Sequence, residues 1–336
     1  MLQSRLLAES VQLTNDAHIL VLNSAANPFV AQAAQQLAPG TITLAEDSIA
    51  VLENVAFPFQ HVPFHEYTLC RAPATIDIAL LDLLYQPNNA WIQYALRLAA
   101  YALKPGGTLY VVGAKDRGIV TVGKRVEEIF GNVETLSIQK GHRVLSARKD
   151  AGTPEITPVS LIDAEFPSLF AGSKLDEGTR LLLEALEVRS TDEALDIGSG
   201  AGHLGLHIAQ LATKGHVTMI DASLAAVAVT WREAEQSGLT NVRVLPGNGA
   251  QPVLAQRFDL VVTNPPFHQG GIQTTAIAER FIREAAQVLR PRGRFYLVAN
   301  RFLKYEPTLQ AHFKTVEEVA GNTRYKVLRA TGPRLR

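Results

Sequence analysis

Short apolar runs bounded by turn residues alternate with longer amphipathic runs along most of this chain of 336 residues. Such alternation predicts α/β units arranged around a parallel sheet. One stretch, residues 151–168, is poor in apolar periodicity and contains three prolines, which is typical of a linker. The sequence therefore predicts two α/β domains, residues 1–150 and 169–336, joined by residues 151–168.

The two predicted domains resemble each other in sequence. Residues 76–80 (IDIAL) correspond to residues 258–262 (FDLVV), and residues 103–112 (LKPGGTLYVV) correspond to residues 289–298 (LRPRGRFYLV). Near the ends of the domains a further set of residues aligns at one constant offset. Two tandem copies of one doubly wound, Rossmann-like fold are the economical interpretation. Chance similarity between two α/β domains is the alternative.

The composition limits the classes of protein to which the chain can belong. Apolar residues make up 47% and charged residues 19%, as in ordinary globular proteins. No apolar run approaches the ~18–20 residues of a membrane span. The single cysteine, Cys70, excludes an internal disulfide and fits a reducing compartment. We expect a cytoplasmic monomer without a metal centre.

A glycine-rich turn follows the first predicted strand of the second copy, within residues 194–205 (ALDIGSGAGHLG). Such a turn lets a ligand approach the backbone closely at a helix N-terminus. Gly200–Gly205 also match the GxGxxG motif, so a dinucleotide-binding site is an alternative interpretation of this loop. In the first copy Gly198, Gly200 and Gly202 are replaced by Asn23, Ala25 and Asn27, which predicts a copy that has lost its cofactor site.

Two acidic residues help to distinguish between the possible ligands of this loop. Asp221 ends the next strand, where a carboxylate can accept both hydroxyls of an adenosine ribose. Asp196 lies just before the glycines, within the strand end, where it would repel a pyrophosphate but attract the α-ammonium group of S-adenosylmethionine. The two acids therefore favour S-adenosylmethionine over NAD. Alternatively, Asp221 caps the helix that begins near Ser223 and Asp196 bonds loop amides. Asn248 is a candidate for bonding the adenine edge.

The run Asn264-Pro265-Pro266-Phe267 follows a predicted buried strand, residues 258–263. Each proline fixes φ and lacks a donor, so the backbone leaving the strand is stiff. An amide and a carbonyl held in this way suit a planar molecule that carries an NH2 group. A strand that simply ends at two prolines beside a core phenylalanine is the alternative. In the first copy Asp82–Tyr85 stand opposite this run.

Taken together, the glycine loop, Asp221 and Asn264–Phe267 resemble the class I methyltransferases that modify amino or amide nitrogens. The longer run NPPFHQ (264–269), with residues 175–183, 298–303 and 325–330, resembles the bacterial guanine-N2 methyltransferases that act on 16S rRNA. That family has two tandem methyltransferase-like domains, of which the first lacks cofactor residues. The resemblance implies S-adenosylmethionine as methyl donor, S-adenosylhomocysteine as product, and cofactor contacts from Phe170, Thr179, Asp196, Gly198, Ser199, Gly200, Gly202, Asp221, Ala222, Asn248 and Asn264.

The implied mechanism uses Asn264, Pro265, Pro266 and Phe267. The Asn264 side-chain oxygen and the Pro265 carbonyl would accept the two amine hydrogens, and Phe267 would stack on the base. His268 is expected to shape the site or contact RNA rather than act as a base. Thr179 has an alternative role as the third residue of a helix capped by Asp176.

RNA contacts are expected near the C-terminus. Residues 280–336 contain 13 Lys or Arg but only four Glu, although the net charge of the chain is zero. The candidate RNA-binding residues are Arg290, Arg292, Arg294, Arg301 and Phe302; a solvated surface is the alternative. Other functions left open are a 23S rRNA guanine-N2 methyltransferase, a protein glutamine methyltransferase, an NAD-dependent oxidoreductase and a non-catalytic assembly factor.

Overall fold

The computed structural model describes residues 2–162, 175–266, 268–269, 272–273 and 275–334. The chain divides into two compact units, Met1–Leu169 and Phe170–Arg336. Among the described residues no helix is long and apolar enough to cross a membrane.

The first unit contains seven strands and six helices in its described part. The strands are β1 (Ile19–Leu22), β2 (Ile42–Glu46), β3 (Gln60–Pro63), β4 (Ile76–Asp82), β5 (Leu103–Ala114), β6 (Glu134–Gln139) and β7 (His142–Arg148). The helices are α1 (Leu2–Ser10), α2 (Pro28–Ala34), α3 (Ile49–Leu52), α4 (Tyr67–Cys70), α5 (Asn89–Ala102) and α6 (Ile119–Phe130).

The second unit follows the same plan in the part that the structure describes. Its strands are β8 (Ala194–Ile197), β9 (Val217–Asp221), β10 (Val242–Pro246), β11 (Phe258–Thr263), β12 (His268–Gln269), β13 (Ile272–Gln273), β14 (Leu289–Asn300), β15 (Phe313–Gly321) and β16 (Tyr325–Pro333). Its helices are α7 (Glu177–Ala185), α8 (His203–Leu211), α9 (Leu224–Gln236), α10 (Ala276–Val288) and α11 (Glu306–His312).

The two large sheets have the same topology. The strand order is β3-β2-β1-β4-β5-β7-β6 in the first unit and β10-β9-β8-β11-β14-β16-β15 in the second. In both sheets the strand next to the outer edge is antiparallel to its neighbours, as in the pairing of β16 with β14 and β15. This confirms the predicted tandem α/β fold, and it adds the antiparallel strand that the sequence analysis did not specify.

The strand registers agree with the sequence alignment of the copies. Val21 lies opposite Leu80 in the first sheet, and Asp196 lies opposite Val262 in the second. Aligned residues also face each other in the neighbouring pair of strands, where Ile76 lies opposite Leu103 and Phe258 lies opposite Leu289. The two copies therefore superpose strand by strand in register, and a residue in one unit identifies its counterpart in the other.

Both faces of the second sheet are covered by apolar clusters. Leu195 and Ile197 face a cluster that includes Phe281 of α10. Ala194 faces the opposite cluster, which includes Met219 of β9 and Ile208 of α8. Successive strand residues point to opposite faces, so Asp196 points to the same face as Ala194. The sheet therefore buries this carboxyl group beneath α8.

Candidate cofactor and substrate site

The carboxyl ends of β8, β9 and β11 meet at one edge of the second sheet. The chain proceeds from β8 outward to β9 and β10, and then returns to place β11 on the other side of β8. Such a reversal opens a crevice between the two central strands, where doubly wound proteins bind their ligands. The predicted cofactor and catalytic residues follow these strands directly.

Three glycines shape the loop between β8 and α8. Gly198, Gly200 and Gly202 have φ values of 73°, 55° and 81°, a left-handed conformation that favours glycine. A Cβ atom on Gly198 would lie 3.2 Å from the Phe281 ring, and one on Gly202 would lie 2.7 Å from Thr230 Cγ2. A Cβ on Gly200 would meet nothing within 4 Å. The loop is thus closely packed below, and it is open at Gly200.

Asp221 holds the glycine loop from the end of β9. Its Oδ2 accepts a hydrogen bond from the Gly200 amide at 2.8 Å, and its Oδ1 accepts one from the Ser223 amide at 2.8 Å. Ser223 itself caps α9. Burial raises the pKa of the Asp221 carboxyl, while the backbone hydrogen bonds oppose that rise. The alternative that Asp221 caps α9 is wrong, because Ser223 is the cap; Asp221 instead bonds the amides of Gly200 and Ser223.

Asp196 is buried completely and is only half satisfied. Its Oδ2 accepts a hydrogen bond from the Gly205 amide at 2.9 Å, but its Oδ1 has no partner. The buried hydroxyl of Ser199 also has no partner. Burial raises the pKa of the Asp196 carboxyl to about 7, with a further increase from Asp221. Unsatisfied buried oxygens are rare in native proteins, so this pair fits a polar ligand at the loop.

The loop after β10 is tied to α10. The Ala250 amide donates to Glu284 Oε2 at 2.7 Å, and Arg280 donates to the side-chain oxygen of Asn248 at 2.6 Å. The Arg280 guanidinium also lies over the Phe281 ring, 5.5 Å from its centroid. Asn248 is therefore held by a neighbouring helix, and its contact with adenine stays a prediction.

Asn264 lies at the end of β11 in a network that fixes its amide group. Its Nδ2 donates to Asp176 Oδ2 at 3.1 Å and to Thr179 Oγ1 at 2.9 Å. Thr179 also donates its hydroxyl hydrogen to Asp176. An ionised carboxylate can only accept hydrogen bonds, so the amide nitrogen must face Asp176. The Asn264 Oδ1 is thereby left to accept a hydrogen bond from a ligand.

Asp176 has two roles in this arrangement. Its Oδ1 accepts hydrogen bonds from the Gly178 amide at 2.8 Å and the Thr179 amide at 3.1 Å, which makes it the N-cap of α7. Its Oδ2 meanwhile receives the Asn264 amide. The cap expected from the sequence is confirmed, and the contact with Asn264 is a feature that the sequence did not reveal.

A cavity of about 620 Å³ opens beside Asn264, which is within the usual range for small-molecule sites. It is bordered by Asp176, Pro265 and Pro266 on one side and by Val298–Asn300, Leu303, Tyr305 and Tyr325 on the other. The Tyr305 hydroxyl is buried and has no partner. The cavity therefore combines apolar walls with a few polar groups, and its β14 side was not predicted.

Several predicted RNA-binding arginines are engaged in ion pairs. Arg294 is 5% exposed and pairs with Asp192 at 2.5 Å, so its burial corrects the prediction that it contacts RNA. Arg290 pairs with Asp259, and the first copy repeats this pair as Lys104 with Asp77. Because the copy without a cofactor site keeps the pair, its simplest role is to stabilise the fold.

Other predicted residues differ in what the structure says of them. Arg301 pairs with Glu318 at 2.8 Å, whereas Phe302 is 62% exposed. Arg292 is exposed and Ala222 is half-buried after Asp221. Phe170 and Phe267 lie outside the described residues, as does the side chain of His268 in β12. Their roles stay predictions.

In the equivalent site of the first unit hydrogen bonds tie the loops to one another, and a cavity of about 580 Å³ borders Ala25–Pro28. Gln86 Nε2 donates to the carbonyls of Asn23 at 3.1 Å and Asp82 at 3.0 Å, and Asn27 Nδ2 donates to Asp82 Oδ2 at 2.7 Å. Glu46 occupies the place of Asp221 and accepts a hydrogen bond from the Ala25 amide at 3.1 Å. These bonds join loops of the first unit. The corresponding loops of the second unit border its crevice.

The fold and the site define a class I methyltransferase, with a glycine loop, two acids and Asn-Pro-Pro at the carboxyl ends of the central strands. The Methyltransferase small domain family matches residues 163–329. Ribosomal RNA small subunit methyltransferase C of Shewanella loihica is 29% identical over 96% of this chain and 97% of that protein. Its Shewanella halifaxensis counterpart is 31% identical over 73% of this chain and 75% of that protein.

A solved structure agrees over nearly the whole chain. The T. thermophilus 16S rRNA N2 G1207 methyltransferase in complex with AdoMet and guanosine has a TM-score of 0.84 and 28% identity, and covers 98% of this chain and 92% of that one. The chain belongs to the ribosomal RNA small subunit methyltransferase C family. This confirms the predicted family and enzyme class, an rRNA guanine-N2 methyltransferase that uses S-adenosylmethionine.

Proposed function

We propose that this chain methylates the N2 amine of one guanine in 16S rRNA. That guanine is the equivalent of G1207, the nucleotide for which the T. thermophilus relative is named. The observation that carries the proposal is the fixed amide of Asn264, whose oxygen faces away from Asp176 beside a cavity of suitable size. In this proposal the enzyme works in the cytoplasm as a monomer.

Asn264 and Pro265 orient the amine in this proposal. A guanine amine is a weak nucleophile because its lone pair is delocalised into the ring. If the Asn264 Oδ1 and the Pro265 carbonyl accept its two hydrogens, the lone pair is directed away from both acceptors. The prolines hold these acceptors without further reorganisation, which is the main source of electrostatic catalysis. The base must leave its stack to enter the cavity.

The residues of the glycine loop hold the methyl donor. S-adenosylmethionine supplies an electrophilic methyl group on sulfur, which becomes a thioether when the amine takes the methyl group and releases a proton to water. The unpartnered Asp196 Oδ1 receives the ammonium group, and Asp221 receives the ribose hydroxyls. The Gly200 backbone, which is open to the crevice, leaves room for the ligand.

The affinity for the cofactor should depend on the ionisation of Asp196. Burial raises the pKa of the Asp196 carboxyl to about 7, and an ammonium group binds the ionised carboxylate. The dissociation constant of S-adenosylhomocysteine should therefore be constant above pH 7 and rise by about tenfold per pH unit below it. Calorimetry between pH 5.5 and 8.5 measures this. The Asp196→Asn variant should show a flat profile, and a flat wild-type profile would contradict the role of Asp196.

The Asp176→Asn variant tests whether the orientation of Asn264 matters. Asparagine caps helices as well as aspartate does, so α7 should keep its stability. The amide introduced at position 176 can both donate and accept, so it no longer forces the Asn264 nitrogen to face position 176. We therefore expect kcat to fall about tenfold, which corresponds to the loss of one hydrogen bond of about 1.4 kcal/mol. Steady-state kinetics and thermal melting measure both quantities. An unchanged kcat would show that Asp176 serves only as a cap.

Transfer of labelled methyl groups tests the proposed substrate. The protein is incubated separately with naked 16S rRNA, 30S subunits, 23S rRNA and 50S subunits, and the labelled fragment is mapped by mass. We expect one guanine of 16S rRNA to carry the label. Label on 23S rRNA, or on glutamine of a ribosomal protein, would replace the proposed substrate by one of the two alternatives.

A further inference from the structure

We propose that Arg257, Arg283 and Arg334 form a binding site for rRNA phosphates on the second unit, at the sheet edge opposite the methyl-transfer site. This proposal rests on the proposed function, because it assumes that the substrate is RNA. It assigns the RNA contact to arginines other than Arg290, Arg294 and Arg301, which are held in ion pairs. We call the three arginines the basic edge.

The basic edge surrounds one depression of about 450 Å³. The lining consists of Leu254, Ala286 and Gln287, the three arginines, and His312. None of these residues is acidic. A guanidinium group binds a phosphate through two parallel hydrogen bonds, so a cavity bordered by three of them suits a phosphodiester backbone.

The charge of the basic edge is not neutralised within the described part of the second unit. Most cations between residues 280 and 334 have a carboxylate partner, namely Arg280, Arg290, Arg294, Arg301, Arg324, Lys326 and Arg329. Among described residues, Arg257, Arg283 and Arg334 have no such partner. Arg292, Lys304 and Lys314 also lack a carboxylate partner among the described residues, but Arg257, Arg283 and Arg334 are three cations without one that border a common depression.

Two of the arginines are held in place by the backbone. Arg257 Nη1 donates to the carbonyls of Leu254 at 3.1 Å and Gln256 at 2.8 Å, and Arg334 Nε donates to the carbonyl of Phe313 at 3.0 Å. A guanidinium group has five N–H donors, so both side chains keep donors for a further acceptor. Fixed side chains lose less entropy when they bind.

The position of the basic edge relative to the catalytic strand sets the size of the RNA. Arg257 directly precedes β11, Arg334 directly follows β16, and Asn264 directly follows β11 at the other end. Six residues of strand span about 20 Å at ~3.3 Å per residue. RNA that contacts both ends must therefore extend well beyond the methylated nucleotide, as structured rRNA does and a free nucleoside does not.

The Arg257→Gln/Arg283→Gln/Arg334→Gln variant tests the proposal in the full-length protein. Binding of naked 16S rRNA and of 30S subunits is measured at several salt concentrations in the presence of S-adenosylhomocysteine. We expect the dissociation constant for naked rRNA to rise at least about tenfold, and the salt dependence of log K to become shallower by about 2–3, close to one for each lost phosphate contact. Cofactor affinity and melting temperature should not change.

Arg243→Gln is the matched control, because Arg243 is an exposed arginine on the distant edge strand β10. It should leave both the rRNA affinity and the salt slope at wild-type values. Wild-type affinity and slope in the triple variant, with rRNA methylation by the wild-type protein intact, would overturn this proposal alone. Loss of affinity for 30S subunits but not for naked rRNA would assign the surface to a ribosomal protein and also overturn it. If the wild-type protein neither bound nor methylated rRNA, both proposals would fail.

Discussion

Replacement of Asn264 by alanine is expected to lower the rate of methyl transfer by about 10²–10³-fold, the usual loss when a preorganised polar group is removed from a catalytic site. The variant loses the oxygen that we propose as the acceptor of an amine hydrogen, but it keeps the glycine loop, Asp196 and Asp221. The dissociation constant of the cofactor should therefore stay within several-fold of the wild-type value. Single-turnover kinetics with 16S rRNA and calorimetry with S-adenosylhomocysteine measure the two effects separately.

The first unit provides a matched control for this substitution. Asp82 stands opposite Asn264 at the end of the corresponding strand β4, where it accepts a hydrogen bond from Asn27. Asp82→Ala should leave the single-turnover rate within about threefold of wild type, although it removes the hydrogen bonds from Asn27 and from the Leu84 amide, each worth about 1 kcal/mol of stability. A normal transfer rate in Asn264→Ala would refute the proposed mechanism.

The second large effect is expected at Asp221. In Asp221→Ala the ribose hydroxyls would lose the charged acceptor that we propose for them, and the amides of Gly200 and Ser223 lose theirs as well. Hydrogen bonds to charged groups contribute about 1.5–3 kcal/mol each. The affinity for S-adenosylhomocysteine should therefore fall about 100-fold, with a smaller loss in Asp221→Asn, which keeps one acceptor oxygen. Calorimetry measures the affinity and the stoichiometry in the same titration.

Glu46 is the matched control for Asp221, since it ends β2 of the first unit and bonds the Ala25 amide as Asp221 bonds the Gly200 amide. Because that copy lacks the three glycines and its loops are tied together by Gln86 and Asn27, Glu46→Ala should leave the cofactor affinity unchanged. The wild-type protein should bind one cofactor per chain. Two cofactors per chain, or an Asp221→Ala variant that binds normally, would contradict the assignment of the site to the second unit.

The sequence predicted the features that depend on neighbouring residues. The strand Phe258–Thr263, the glycine loop and the cap at Asp176 are local patterns, and the structure has each of them. The duplication was also visible, because aligned strands keep their apolar residues in register. Each of these features depends on residues within a short segment, so a single sequence is sufficient to predict it.

Contacts between distant segments could not be predicted in this way. Asp176 and Asn264 are 88 residues apart, and Arg294 pairs with Asp192 across 102 residues. The sequence does not reveal that Gln86 bonds the carbonyls of Asn23 and Asp82, because no local motif distinguishes this glutamine from one on the surface. Charge alone drew attention to Arg290 and Arg294, whereas only the packed fold shows which arginines are already paired.

The most direct test of the account is the chemical identity of the methylated nucleoside. Unmethylated 16S rRNA, naked and in 30S subunits, is incubated with the protein and labelled S-adenosylmethionine, digested to nucleosides, and analysed by mass spectrometry against standards. The account predicts N2-methylguanosine as the labelled product with the wild-type protein and almost none with Asn264→Ala. Label on a ring nitrogen or on the ribose, or equal amounts of product with both proteins, would contradict it.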